Sequence, residues 1–275
     1  MFLEPIDFAL MYKKHKETTV FRDKNSSDWD EKSKEMAPRM QKSSYVEDFI
    51  SRMSISSADT VLDIGCGPGT LAIPLAKIAK EVIAIDFSAQ MLEELKVYAA
   101  KEGITNIKTY HIGWEDDWSY LPKVDIAVAS RSVEVKDIET ALHKMSAQAK
   151  KASYLTYKTG GSFVDMDILD FIGKKIITKP DFWYIPLLLY KDGYLPYIDY
   201  IPTKDGSVKY ANVDEFVTSL IWSIGTLDET QQQKAREYYK LHIKNNSIPK
   251  PSMWAFVAWS SHKQELIGCK LGSYN

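Results

Sequence analysis

The sequence predicts an α/β fold: a doubly wound, mostly parallel sheet covered by helices on both faces. Three observations predict it. From Thr60 onward, short β-rich runs alternate with helical segments, a pattern that implies parallel strands joined by crossover helices. A glycine-rich turn, Gly65-Cys-Gly-Pro-Gly69, sits at the first strand-to-helix junction. Hydrophobic residues make up 45% of the 275 positions and charged residues 26%, a globular balance over a chain long enough for one large domain, with or without a substantial insertion.

Residues 1–55 are polar and charge-rich, with scattered aromatics at Phe8, Tyr12, Phe21, Trp29, Tyr45 and Phe49. Val46, Phe49 and Ile50 fall at helical spacing between Ser43 and Met53. We read this region as an N-terminal helical lid, not a separate domain. The strands expected next are Thr60–Ile64, Glu81–Ile85, Ile107–Tyr110, Val124–Ala129 and Ala152–Tyr157. The helices between them are Leu71–Ala79, Ala89–Lys101 and Asp137–Ala149; Ser88 is a good N-cap for the second and Gly103 a good stop. Phe163–Lys175 reads as a further helix. Residues 180–201 are dense in aromatics and prolines, from Phe182, Trp183 and Tyr184 to Tyr197 and Tyr200. Asn212 opens a helix running to about Ile224. Thr226-Leu-Asp-Glu229 has capping-box spacing and opens another, to about Ile243. A last strand is expected at Met253–Ser260. Residues 56–275 thus form one domain, with an aromatic-rich helical insertion at about 176–250.

Composition narrows the function. The formal net charge is -2, without the basic excess that phosphate neutralisation demands of a dedicated nucleic-acid binder. The two cysteines, Cys66 and Cys269, make no disulfide framework and suit a reducing compartment. Met1-Phe-Leu-Glu-Pro-Ile-Asp lacks the basic and apolar regions of a signal peptide. No apolar run approaches the ~20 residues a membrane span needs. The expected location is the cytoplasm. His15, His111, His143, His242 and His262 are scattered, without ligand spacing, and no metal is expected.

In the glycine turn, glycines let backbone approach a ligand closely and the following helix N-terminus favours an anion. A dinucleotide fingerprint needs a sixth-position glycine, where this chain has Thr70; a P-loop needs Gly-Lys-Ser/Thr, which is absent. An acid precedes the turn instead, giving Asp63-Ile-Gly65-Cys-Gly67-Pro-Gly69. Ile85-Asp86-Phe87-Ser88 closes the second strand, Met91-Leu92 lie in the next helix, Gly113-Trp-Glu-Asp116 follows the third strand, and Val124-Asp-Ile-Ala-Val-Ala-Ser130 forms the fourth and its exit. Taken singly these residues have ordinary explanations: Asp86 as a strand-end turn acid, Met91 as core, Trp114 as packing, Cys66 as a small turn filler. Their joint order and spacing resemble closely the class I S-adenosylmethionine-dependent methyltransferases, over roughly residues 55–160.

That resemblance implies a seven-stranded sheet, S-adenosylmethionine as cofactor (with S-adenosylhomocysteine as product), and roles for particular residues. Gly65, Gly67 and Gly69, with Cys66 between them, pass close to the cofactor. Asp63 orders the loop or bonds the amino group. Asp86 accepts from the ribose hydroxyls. Phe87 and Met91 flank the adenine. Trp114 and Glu115 stand where the family reads adenine's exocyclic amine, Trp114 being a departure that could stack on the ring. Ser130 and Arg131 line the wall between cofactor and substrate, and Tyr45, with Trp29, belongs to a lid over the cofactor.

The acceptor site is expected at the carboxyl ends of the strands. Tyr157-Lys158-Thr159-Gly160 and the aromatic block 182–200 are candidate walls, although such a block is more often the core of a helical subdomain. Glu134, Tyr157 and Asp165 are conceivable bases; none has a sequence partner that singles it out, and no catalytic residue is assigned. Arg131 could pair with a substrate carboxylate or with nearby Glu134. The acceptor expected is a small molecule, not a membrane component. A tRNA or rRNA acceptor is the alternative, with Lys13-Lys14-His-Lys16, Lys150-Lys151 and Lys174-Lys175 as phosphate contacts, although Ser130-Arg-Ser-Val133 lacks the Asn/Asp-Pro-Pro-Tyr/Phe pattern of base-amine methylation. A non-catalytic cofactor-binding protein is a third reading. Oligomeric state is left open, a homodimer included.

Overall fold

The computed structural model describes residues 6–19, 21, 24–31, 33, 44–162, 164–203, 210–244 and 252–265. Residues 1–5, Ser43, Phe163 and Cys269, which the sequence reading touches, lie outside these. The strands are β1 (Thr60–Ile64), β2 (Glu81–Asp86), β3 (Ile107–His111), β4 (Val124–Ser130), β5 (Ala149–Lys158), β6 (Tyr197–Thr203) and β7 (Ser252–Ser260). They form one seven-stranded sheet in the order β3-β2-β1-β4-β5-β7-β6. The first five are parallel, and β7 runs antiparallel between β5 and β6. The reversal of strand order at β1 and β4 places a crevice at their carboxyl ends, where ligands of such sheets bind.

Helices cover both faces because the central strands β1, β2 and β4 bury both. On one side α1 (Phe8–Thr18), α5 (Ile138–Gln148) and α7 (Tyr184–Lys191) pack over Leu62, Ile64, Ile83, Leu155 and Trp259. On the other, α2 (Ser44–Ser51), α3 (Ala72–Ala76) and α4 (Ala89–Lys101) pack over Val61, Val82, Val128, Tyr154 and Phe256. The N-terminal region is therefore split between the two faces of the sheet, α1 against α5 and α7, and α2 against β6.

A third cluster is formed by α6 (Met166–Ile172), α8 (Val213–Ile224) and α9 (Glu229–Tyr238), around Leu169, Phe216, Leu220 and Ala235, with Phe21 inserted from the N-terminal region. Asn212 caps α8 as expected, accepting from the amides of Asp214 and Glu215. The cap of α9 is Asp228, with Gln231 completing a capping box, and not Thr226; the chain needs two more residues after Gly225 before the helical turn begins. The helix ends at Tyr238 and continues as a π turn over Tyr239–Ile243.

The aromatic block differs most from expectation. Between 176 and 203 it is mainly sheet and sheet cover: α7 lies on the core and β6 is the edge strand, so the helices that leave the sheet are α6, before the block, and α8 and α9, after it. Its outward residues Trp183, Pro186, Leu187, Tyr190, Leu195, Pro196 and Ile198 line an open apolar groove of about 550 Å³. None of these residues belongs to the glycine turn or to the ends of β1, β2 and β4. No helix among the described residues is long and apolar enough to cross a membrane.

Candidate active site

The turn after β1 is tied down by its own backbone. The amides of Gly65 and Cys66 donate to the Ile85 carbonyl at 2.8 and 3.0 Å, which fixes the turn against the end of β2. Gly65 has φ of 66°, and a Cβ there would lie 2.4 Å from Ser132 Cβ. Gly67 also has positive φ, at 54°, but a Cβ there would meet nothing within 4 Å. Packing thus excludes a side chain at Gly65, whereas Gly67 faces free space that a ligand can enter.

Two buried carboxyl groups flank the turn. Asp86 ends β2; its Oδ2 accepts from the Gly67 amide at 2.8 Å and its Oδ1 from the Ser88 amide at 2.9 Å. Burial pushes its pKa up, opposed by those two donors and by nearby His111. Each oxygen keeps acceptor capacity beyond its one amide. Asp63, on β1, is 1% exposed. The Ala72 amide donates to its carboxyl group, and burial, then the neighbouring Asp86, push its pKa up to about 7. Its Oδ2 has no partner among the described residues, and neither has the buried Thr70 Oγ1 in the same turn. Buried polar atoms are nearly always satisfied, so these two leave hydrogen-bonding capacity for a ligand or water beside the turn. Cys66 is a buried free thiol, held protonated by burial and by Asp63 and Asp86, which removes it as a nucleophile.

Beyond Asp86, Phe87 is 39% exposed, while Met91 is buried within α4. Ser88 caps α4, accepting from the Met91 amide at 3.1 Å. A residue that the sequence reading missed joins here: Asp30, in the helical stretch 26–31, takes the Ser88 hydroxyl at 2.5 Å and the Gln90 amide at 3.3 Å. Only Trp29 beside it carried a signal, as an aromatic of a lid. Trp114 is anchored at its edge and against one neighbouring ring. Its indole N–H donates to the Ser132 carbonyl at 2.8 Å and its ring packs 5.3 Å from Trp118. Glu115 is exposed, and it is Asp116 that closes the turn by accepting from the Gly113 amide at 2.7 Å.

A second group gathers at the end of β4. The buried Tyr45 hydroxyl bonds Ser130 Oγ at 2.8 Å and Thr156 Oγ1 at 2.6 Å. Thr156 Oγ1 also accepts from the Arg131 amide at 3.1 Å. Arg131 has φ of 58°, a strained conformation for a side-chain-bearing residue, and its guanidinium lies 4.1 Å from the centre of the Tyr45 ring. Arg131 does not pair with Glu134, which is bonded to Lys179 instead. Thr156, Ser132 and Trp254 had no motif to mark them.

The conceivable bases are largely committed. Asp165 caps α6 by accepting from the Asp167 amide at 3.1 Å. Tyr157 is buried, bonded to Tyr12, and its pKa is raised by burial. The Tyr12 hydroxyl in turn donates to the Val135 carbonyl at 2.7 Å.

A sheet of this order, with a glycine turn at its switch point and a buried acid at the end of β2, is the arrangement of class I S-adenosylmethionine-dependent methyltransferases, and the methyltransferase domain of this chain belongs to that family. Residues 61–152 match the methyltransferase domain family. An uncharacterised protein of Haemophilus influenzae is 31% identical over 264 residues, covering 94% of this chain and 98% of that one. A probable ribosomal RNA small subunit methyltransferase A of Methanosphaera stadtmanae is 42% identical over 135 residues, 48% of this chain and 44% of that protein. Among solved structures, YcgJ from Bacillus subtilis superposes with a TM-score of 0.55 at 15% identity, covering 80% of this chain and 98% of that chain. S-adenosylmethionine is the methyl donor, and the open side of Gly67 with the orphaned Asp63 and Thr70 oxygens fits a polar ligand of that kind.

Proposed function

We propose that this methyltransferase acts on a small-molecule acceptor. The observation that carries this reading is the position of its lysines. Lys151, which with Lys150 was one of the candidates for RNA phosphate contacts, is paired to Asp59 and lies 3.6 Å from Asp125. All three stand at the amino ends of β1, β4 and β5, a strand's length from the glycine turn. Lys174 is likewise spent on the Thr226 carbonyl, at 2.5 Å. The rRNA reading draws on the Methanosphaera match, but this chain spans less than half of that protein.

S-adenosylmethionine supplies an activated methyl group that passes to the acceptor by direct displacement. The protein's part is alignment and exclusion of water. In our reading Asp86 holds the ribose hydroxyls, Asp63 the amino group, and Gly65, Cys66, Gly67 and Gly69 the backbone path beside them. Phe87 and Met91 flank the adenine, with Trp114 and Glu115 behind. Ser130, Arg131 and Tyr45 stand between donor and acceptor. Asp30 and Tyr45 make the N-terminal region a lid, fastened at the first helix turn after β2 and at the end of β4. The free Cys66 suits a reducing cytoplasm.

The test is transfer of labelled methyl groups from S-adenosylmethionine to a metabolite extract and, separately, to total small RNA. Label in the small-molecule fraction is expected; label confined to RNA would overturn the acceptor class.

A further inference from the structure

Two cations stand at the carboxyl rim of β4 and β5, and neither has an ion-pair partner among the described residues. One is Arg131. Its guanidinium lies over the Tyr45 ring, 4.1 Å from its centre, and 5.7 Å from the centre of Trp254, whose ring meets Tyr45 edge-on. Stacking on ring faces leaves the N–H edge of a guanidinium available to a planar oxyanion. The other is Lys158, the last residue of β5, two places beyond Thr156 and so on the same face of the sheet. It pairs in register with Trp254 of β7, which joins it to the same cluster. Its ammonium donates to the Thr159 carbonyl at 3.0 Å. Burial lowers its pKa, with Asp181 as the one opposing charge.

The backbone argues that this placement is maintained for a ligand. A left-handed conformation strains an arginine, and glycine would adopt it without strain. The chain keeps the strained residue, anchors its amide on Thr156 Oγ1, and ties that hydroxyl to Tyr45. The nearest chain acid in sequence, Glu134, is given to Lys179.

We propose that Arg131 and Lys158 form the subsite for a carboxylate of the methyl acceptor, so that the substrate is a small carboxylic acid held between the Tyr45 and Trp254 side and the end of β5. The inference rests on the small-molecule reading and names its substrate class. Two isolated cations suit a single oxyanion; a polynucleotide needs a longer basic track.

The experiment uses the full chain saturated with S-adenosylhomocysteine, titrated calorimetrically with benzoate and with benzamide, its neutral counterpart. Benzoate is expected to bind at least about tenfold more tightly, as a charged hydrogen-bonded pair allows. Arg131→Gly is expected to fold as well as the parent, since it relieves the positive φ, to retain S-adenosylhomocysteine binding, and to lose the preference for benzoate. Arg131→Lys should recover part of the preference, and Lys158→Gln should reduce it. Equal binding of benzoate and benzamide by the parent would overturn the proposal. So would an Arg131→Gly protein that no longer binds S-adenosylhomocysteine, because the arginine would then serve the cofactor. Methyl label found only in RNA would instead sink the small-molecule reading, independently of the titration.

Discussion

Asp86 does two things at once: it orders the glycine turn through the Gly67 amide and the start of α4 through the Ser88 amide. In our reading it also receives the ribose. Asp86→Ala should therefore weaken S-adenosylhomocysteine binding by at least ~1–3 kcal/mol, the usual loss for a charged acceptor. Calorimetry checks this, and an unchanged affinity would contradict the role. Asp63 makes a different prediction. Its folded pKa of about 7 lies above its ordinary 3.8, so the folded state holds the proton more tightly than the unfolded chain. The stability it contributes is fully present below about pH 4 and is lost as pH rises through about 7. Urea unfolding of the cofactor-free protein should show that fall, and Asp63→Asn should flatten it. Cofactor affinity should move the other way, rising toward neutral pH, because the ionised carboxylate is the form that holds an ammonium group.

Among the elements, β6 shows why part of the fold was not legible. Tyr197-Ile-Asp-Tyr-Ile-Pro-Thr203 contains a buried aspartate and a proline, both unfavourable in a strand. Its place at the sheet edge removes the objection to Pro202, whose missing amide leaves no ladder bond unmade on the open side. Asp199 is neutralised by Arg52, whose Nε lies 2.8 Å away and which follows α2 far off in sequence. Removing one partner of a buried pair leaves the other charge uncompensated, so Asp199→Ala should destabilise the protein by ~3–5 kcal/mol. A denaturation midpoint close to the parent's would show that α2 is anchored to β6 by packing alone. The strands and helices from Thr60 to Lys158, by contrast, follow from local pattern, because β1, β2 and β4 are short, mainly apolar runs and Ser88 and Asp137 stand at their helix starts. The α9 cap was read two residues early because Thr226 and Asp228 both offer a capping side chain.

In the whole molecule the sheet with its two faces and the helical cluster of α6, α8 and α9 are distinct packing units. The cluster is smaller and joins the sheet through few elements, so it should open at lower free energy than the central strands. Hydrogen exchange should find the amides of α8 and α9 less protected than those of β1, β4 and β5; uniform protection would mean one cooperative unit. The order Asp63, glycine turn, Asp86, Gly113 and Ser130 was sufficient to name the methyl donor, since donor recognition rests on backbone geometry and one acid held within a single βαβ unit. The side-chain pairings around the glycine turn and the rim of β4 and β5 were decided by tertiary structure alone. Asp30 reaches Ser88, Tyr45 reaches Thr156, and Trp254 lies opposite Lys158, each across a long separation in sequence. No local pattern encodes such pairings, because they arise only when the sheet brings its strand ends to one rim.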